Sequence, residues 1–143
     1  MPNPILRFLL ALVLIPGFVA AAPSAQDAGP QHIANLGAKV APHTTKTIFL
    51  VHMPPGSDVK EGTAQLVRIL RGNDCHAQTF LIGSEDTARI AQIIVGAFSQ
   101  LSPDSLAGCP IIVVAAQDDA ERIRAVVGKT GAQLYFAPYH DPG

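Results

Sequence analysis

Pro110-Ile111-Ile112-Val113-Val114-Ala115 is the stretch that decides the fold. It is apolar without alternation, so a strand made from it has no side for water and must be covered on both faces. Three other runs share that character: Thr47-Ile48-Phe49-Leu50-Val51-His52, Ala77-Gln78-Thr79-Phe80-Leu81-Ile82 and Leu134-Tyr135-Phe136-Ala137. Pro54-Pro55-Gly56 closes the first of them, as strand-breaking residues should. Between the runs the apolar period changes to that of a helix. Val59, Thr63, Leu66, Val67 and Leu70 fall on one stripe, with Gly72 as the stop. Residues 85–101 are apolar over much of a helical circumference, through Ile90, Ala91, Ile93, Ile94, Ala97, Phe98 and Leu101, which predicts the most buried helix. A shorter helix is expected over residues 119–127, ending at Gly128. Strands alternating with helices in the order β-α-β-α-β-α-β predict a mainly parallel four-stranded sheet with helices on both sides. That is a small Rossmann-like three-layer α/β sandwich over residues 47–143.

Upstream the pattern weakens. Residues 22–46 contain Pro23, Pro30, Pro42, Gly29 and Gly37 with few large apolar side chains, and read as an extended lead-in from which Ile33 and Leu36 are free to dock. Residues 1–21 have the layout of a secretory signal peptide. Arg7 supplies the positive charge and residues 8–15 the apolar run; Pro16-Gly17 breaks the helix, and Val19 and Ala21 stand at the small-residue positions before cleavage. The apolar run is shorter than the ~20 residues that span a bilayer, so no stable membrane anchor is expected after cleavage. The expected destination is the periplasm or the outside of the cell.

Composition narrows the function classes. The chain has 143 residues, 10 Lys+Arg against 11 Asp+Glu, and a net charge of −1. That balance gives no electrostatic basis for binding nucleic acid or an anionic membrane. The two cysteines, Cys75 and Cys109, form no CxxC pair; in an exported chain they read as one disulfide. They precede the second and third strands, so the bond requires those strands to be neighbours, with Cα atoms roughly 4.4–6.8 Å apart. A zinc site from the two cysteines and His76 lacks the paired ligand spacing usual for such sites, and no metal or other cofactor is assigned.

Ligands of open α/β sheets bind beyond the C-terminal ends of the strands. That edge is expected to gather His52, Asp58, Ser84, Glu85, Asp86, Asp118, Asp119 and His140. Each helix there opens with acid, and Asp58-x-x-Glu61 and Asp118-x-x-Glu121 have capping-box spacing. Carboxylates on those amides leave little for a phosphate, and no GxGxxG or GxxxxGK[ST] follows any strand. The rim therefore suits a partner protein with a basic or neutral face. Two other chemistries are open at the same edge: a hydrolytic set of Ser84, His140 and Asp118, and a metal held by His52, His140 and an Asp. Edge strands also leave a homodimer open.

Residues 48–56, 110–119 and 134–138 resemble, in order, the strand and oxyanion loop, the strand before the nucleophile elbow, and the following strand of α/β-hydrolases. The likeness covers residues 47–138 and implies the first half of that fold. Where the family's elbow has G-x-S-x-G, this chain places Gln117 between Ala115 and Asp119, so the likeness implies an inactive relative or simply a generic α/β array. The expectation is an exported α/β protein that acts by binding, as an accessory, inhibitor or immunity-type factor. A minimal serine hydrolase is the alternative, and a metal-binding protein the further one.

Overall fold

A computed structural model describes residues 24–43 and 47–142; the expected leader lies outside them. Four strands, β1 (Thr47–His52), β2 (Gln78–Gly83), β3 (Pro110–Ala115) and β4 (Gln133–Pro138), form one sheet in the order β1-β2-β3-β4. All neighbours are parallel, with Thr47 beside Gln78, Phe80 beside Ile111 and Pro110 beside Gln133. The helices are α1 (Ser24–Ala38), α2 (Val59–Gly72), α3 (Thr87–Ser99) and α4 (Ala120–Lys129), the last preceded by a 3-10 turn at Gln117–Asp119. The chain is an α/β domain of small Rossmann-like type.

Strand order follows chain order, so crossovers of one hand lay α2, α3 and α4 side by side on a single face. There Leu66, Leu70, Ile90, Ile94, Phe98, Ile123 and Val127 close on Phe80, Ile82, Ile111 and Val113. Every residue of β3 is buried, as its unbroken apolar run requires. Among the described residues the opposite face is covered by α1 alone, which packs Ile33, Ala34 and Leu36 on Leu50, Leu81, Ile112, Val114 and Ala137.

The helix α1 corrects the expectation of an extended lead-in over residues 22–46. Pro30 stands inside it and forfeits a backbone bond, which costs roughly 3 kcal/mol in an ordinary helix interior. Ile33 and Leu36 are 0% and 3% exposed, and burying each contributes ~1.5–3 kcal/mol. Burial offsets the proline. Gly37 is a contact position rather than a breaker: a Cβ there would stand 2.8 Å from Leu81 Cγ, so only glycine lets the helix lie this close to β2.

Two helix starts also differ from expectation. The helix α3 begins at Thr87, with Asp86 as its N-cap, because the preceding residues turn on the Ser84 hydroxyl. The helix α4 begins after the 3-10 turn, and Asp119 makes no side-chain cap. Its chain reversal comes at Gly131 (φ +82°) rather than at Gly128.

Cys75 and Cys109 are joined across the adjacent β2 and β3, with Cα atoms 5.5 Å apart. A structural disulfide belongs to an oxidising, extracellular-type environment. Among the described residues no helix is long and apolar enough to cross a membrane.

Candidate functional site

A strand order without reversal has no switch point at which a crevice opens between diverging helices. The C-terminal edge of this sheet is instead capped on one side by the N-terminal half of α1. His52 ends β1 on that side and is 3% exposed. Its Nε2 lies 2.6 Å from Glu85 Oε1. A carboxylate accepts only, so Nε2 carries the donated proton, and Nδ1 is buried with no partner among the described residues. Glu85 is wedged against α1, where a Cβ at Gly29 would stand 2.6 Å from its Oε1.

The chain's C-terminal segment closes the same corner. The Tyr139 amide donates to Ala115 O at 2.8 Å, and His32 of α1 donates from Nε2 to His140 O at 2.7 Å. The His32 ring meets Tyr139 and His140 edge-on, at 5.7 and 5.8 Å between centroids. Burial pushes the Tyr139 phenol above its ordinary value of 10.0, and the nearby carboxylates of Asp141 and Glu85 push the same way. The His32–His140 hydrogen bond and the His32–Tyr139 ring contact thus fasten α1 to the segment after β4, while His52 and Glu85 tie the end of β1 to the start of the segment after β2.

On the other side of the edge lies the acidic rim. Asp58 Oδ2 accepts from the Glu61 amide at 2.8 Å. Asp86 accepts from the Arg89 amide at 3.4 Å and the Gly56 amide at 3.3 Å, and pairs with Arg89 Nε at 3.2 Å. Arg89 also donates to Ser57 O at 3.1 Å, so this acid–base pair stitches the β1–α2 loop to the start of α3. Asp119 pairs with Arg122 at 2.9 Å. Asp118 is exposed. Two helix starts are therefore occupied by the chain's own carboxylates, while the third acid pair is free of the backbone.

No hydrogen bond among the described residues joins Ser84, His140 and Asp118. Ser84 is 1% exposed, and its Oγ accepts the Asp86 amide at 3.0 Å. Nor do His52, His140 and an Asp gather as metal donors; among the described residues the one clustered donor set is Cys75, His76 and Cys109, at the other end of the sheet. Sequence reasoning missed His32, Tyr139 and Gly29. Its available signal was the helical spacing of Gly29, Ile33, Leu36, Gly37 and Val40, masked by the adjacent Pro30. Compared with known proteins, the chain matches no family model, no curated protein and no solved structure.

Proposed function

We propose that this chain is exported, through the leader at residues 1–21, and acts by binding rather than catalysis, as an accessory, inhibitor or immunity-type factor. The acidic rim beyond the C-terminal ends of the strands is its docking surface, and the partner is a protein with a basic or neutral face. The observation that carries the proposal is the occupation of the α2 and α3 N-termini by Asp58 and Asp86. Amides spent in this way offer no cradle to a phosphate or nucleotide. Around them Asp58, Glu61, Asp86, Asp118, Asp119 and Glu121 outnumber Lys60, Arg89 and Arg122, which favours a cationic approach.

The hydrolase reading is weaker on the same ground. A nucleophile needs a free, reachable hydroxyl with a base in contact, and the Ser84 oxygen is buried and engaged in a turn.

The test pairs capture with turnover. The mature chain is used as bait on the native exported fraction, beside Asp118→Lys and Glu121→Lys, whose side chains hold no backbone. A specific partner that is retained by the parent chain, lost with the lysine variants and weakened by salt is the expected result. Turnover of generic ester or peptide substrates that vanishes in Ser84→Ala would overturn the proposal in favour of the hydrolase.

A further inference from the structure

The end of the sheet opposite the rim carries its own cluster. Cys75 lies in the turn before β2, Cys109 immediately before β3, and His76 follows Cys75. Asp74 Oδ1 accepts the His76 amide at 2.8 Å, and Asp74 O accepts the Ala77 amide at 3.1 Å; this turn fixes Cys75 and His76. Cys109 is fixed from both sides, its amide on Leu106 O at 3.0 Å and its carbonyl on the Gln133 amide at 2.8 Å. The Sγ atoms and a ring nitrogen of His76 all lie within 4.8 Å of one another. A groove of about 380 Å³, lined by Arg71, Asp74, Cys75, His76, Ser102 and Ser105 among others, reaches Cys75 and His76.

We propose that the reduced chain binds a thiophilic metal ion of the zinc type through Cys75, His76 and Cys109, so that this end of the sheet alternates between a disulfide and a metal thiolate. Two thiolates and an imidazole are soft and borderline donors that select zinc-like or copper(I)-like ions over magnesium or calcium. In a tetrahedral site with bonds of about 2.0–2.3 Å, donors stand roughly 3.5–3.8 Å apart. His76, which is exposed, closes by up to about 1 Å, and the two Sγ atoms, bonded in the oxidised chain, part by roughly 1.5–1.7 Å through their side-chain torsions once the bond is reduced. The groove supplies an entry path and room for water as the fourth ligand. Paired CxxC spacing is unnecessary here, because the parallel register of β2 and β3 brings the cysteines together across 34 residues.

The chemistry balances through a dithiol. It gives two electrons and two protons to the Cys75–Cys109 bond and closes to its own disulfide; the metal ion then displaces the two thiol protons. The proposal is independent of the acidic rim, and either can fail without the other.

Cobalt(II) is the probe. The chain is reduced with a water-soluble phosphine, desalted without oxygen and titrated, with the oxidised chain alongside. Expected are one cobalt per reduced chain, thiolate-to-metal charge transfer and the intense visible bands of tetrahedral cobalt, all erased by zinc(II); the oxidised chain shows none. His76→Ala keeps the disulfide and so the oxidised fold, yet weakens cobalt binding by roughly 10–100-fold, the loss that even an outer partner of a ligand causes. Should the reduced chain unfold on its own, cobalt restores its circular dichroism. Absence of the bands, bands of equal strength in urea or without restored dichroism, or His76→Ala titrating like the parent chain would each overturn the proposal.

Discussion

On one face of the sheet α2, α3 and α4 lie against each other and against the strands, and a single apolar cluster runs through all three. On the other face, among the described residues, α1 lies alone over a smaller cluster, and its seat depends on close approach at Gly37 and on the His32 contacts with His140 and Tyr139. A helix flanked by helices loses little when one contact is removed, because its neighbours still exclude water. A helix with open flanks must hold itself by fit. The two faces are therefore expected to differ in cooperativity: the three-helix face opens only with the whole molecule, whereas α1 opens locally at lower free energy.

The largest effect should come from the first face. Phe80 is fully buried there, edge-on to Phe49 at 5.9 Å. Phe80→Ala is expected to cost about 3–5 kcal/mol and to lower the urea midpoint with an unchanged slope, since the lost contacts belong to the global unit. Gly37→Val is expected to cost about 1–3 kcal/mol through overpacking against Leu81. Its signature differs in place as well as size: hydrogen exchange should quicken in α1 and leave α2, α3 and α4 at their original rates. Equal acceleration on both faces would show one cooperative unit and end the distinction.

That same asymmetry explains what could be read before folding. The strands announced themselves because β1 and β3 match the apolar runs residue for residue, and β2 and β4 differ by only one residue at each end. Each is dictated by local composition. The disulfide followed from topology, since Cys75 and Cys109 meet only if β2 and β3 pair. The helix α1 was hidden because its formation is decided by tertiary burial of Ile33 and Leu36 against an intrinsic penalty at Pro30. With α1 hidden, the corner it closes was hidden too. Nothing in the local pattern marks His32, and Glu85 at the head of a helix has the look of one more acidic helix start, where it is the partner of His52. Asp58 was legible as a cap because its partner, the Glu61 amide, is three residues away. Asp118 has the same spacing to Glu121, but the 3-10 turn places it ahead of the start of α4, and Asp119, at the N-cap position, makes no side-chain cap bond to the helix amides.

A smaller effect belongs to that legible cap. Asp58→Ala should cost about 1 kcal/mol and quicken exchange only in the first turn of α2, which sharpens the comparison by showing how little one polar contact counts on the three-helix face. The Glu61 amide it serves is at the solvent edge, so water replaces the carboxylate without leaving a buried donor.

Tyr139 gives the smallest signal and the most direct report on the α1 corner. Its phenol is held above 10.0, first by burial and then by Asp141 and Glu85. As the pH rises past 10.0, the unfolded chain releases this proton while the folded chain retains it. The folded state then binds the extra proton, so stability falls as pH climbs from 10.0 through the folded-state value; below 10.0 the group adds no slope. The Tyr139 ring-carbon resonance should titrate above 10.0, and Tyr139→Phe should remove the corresponding loss of urea midpoint between about pH 9 and about pH 11. Gly37→Val should bring the resonance back toward 10.0, because a loosened α1 uncovers the ring that His32 now packs against. A Tyr139 titration unmoved by Gly37→Val would mean that α1 does not close this corner, and the polar fastening of the second face would have to be sought elsewhere along the helix.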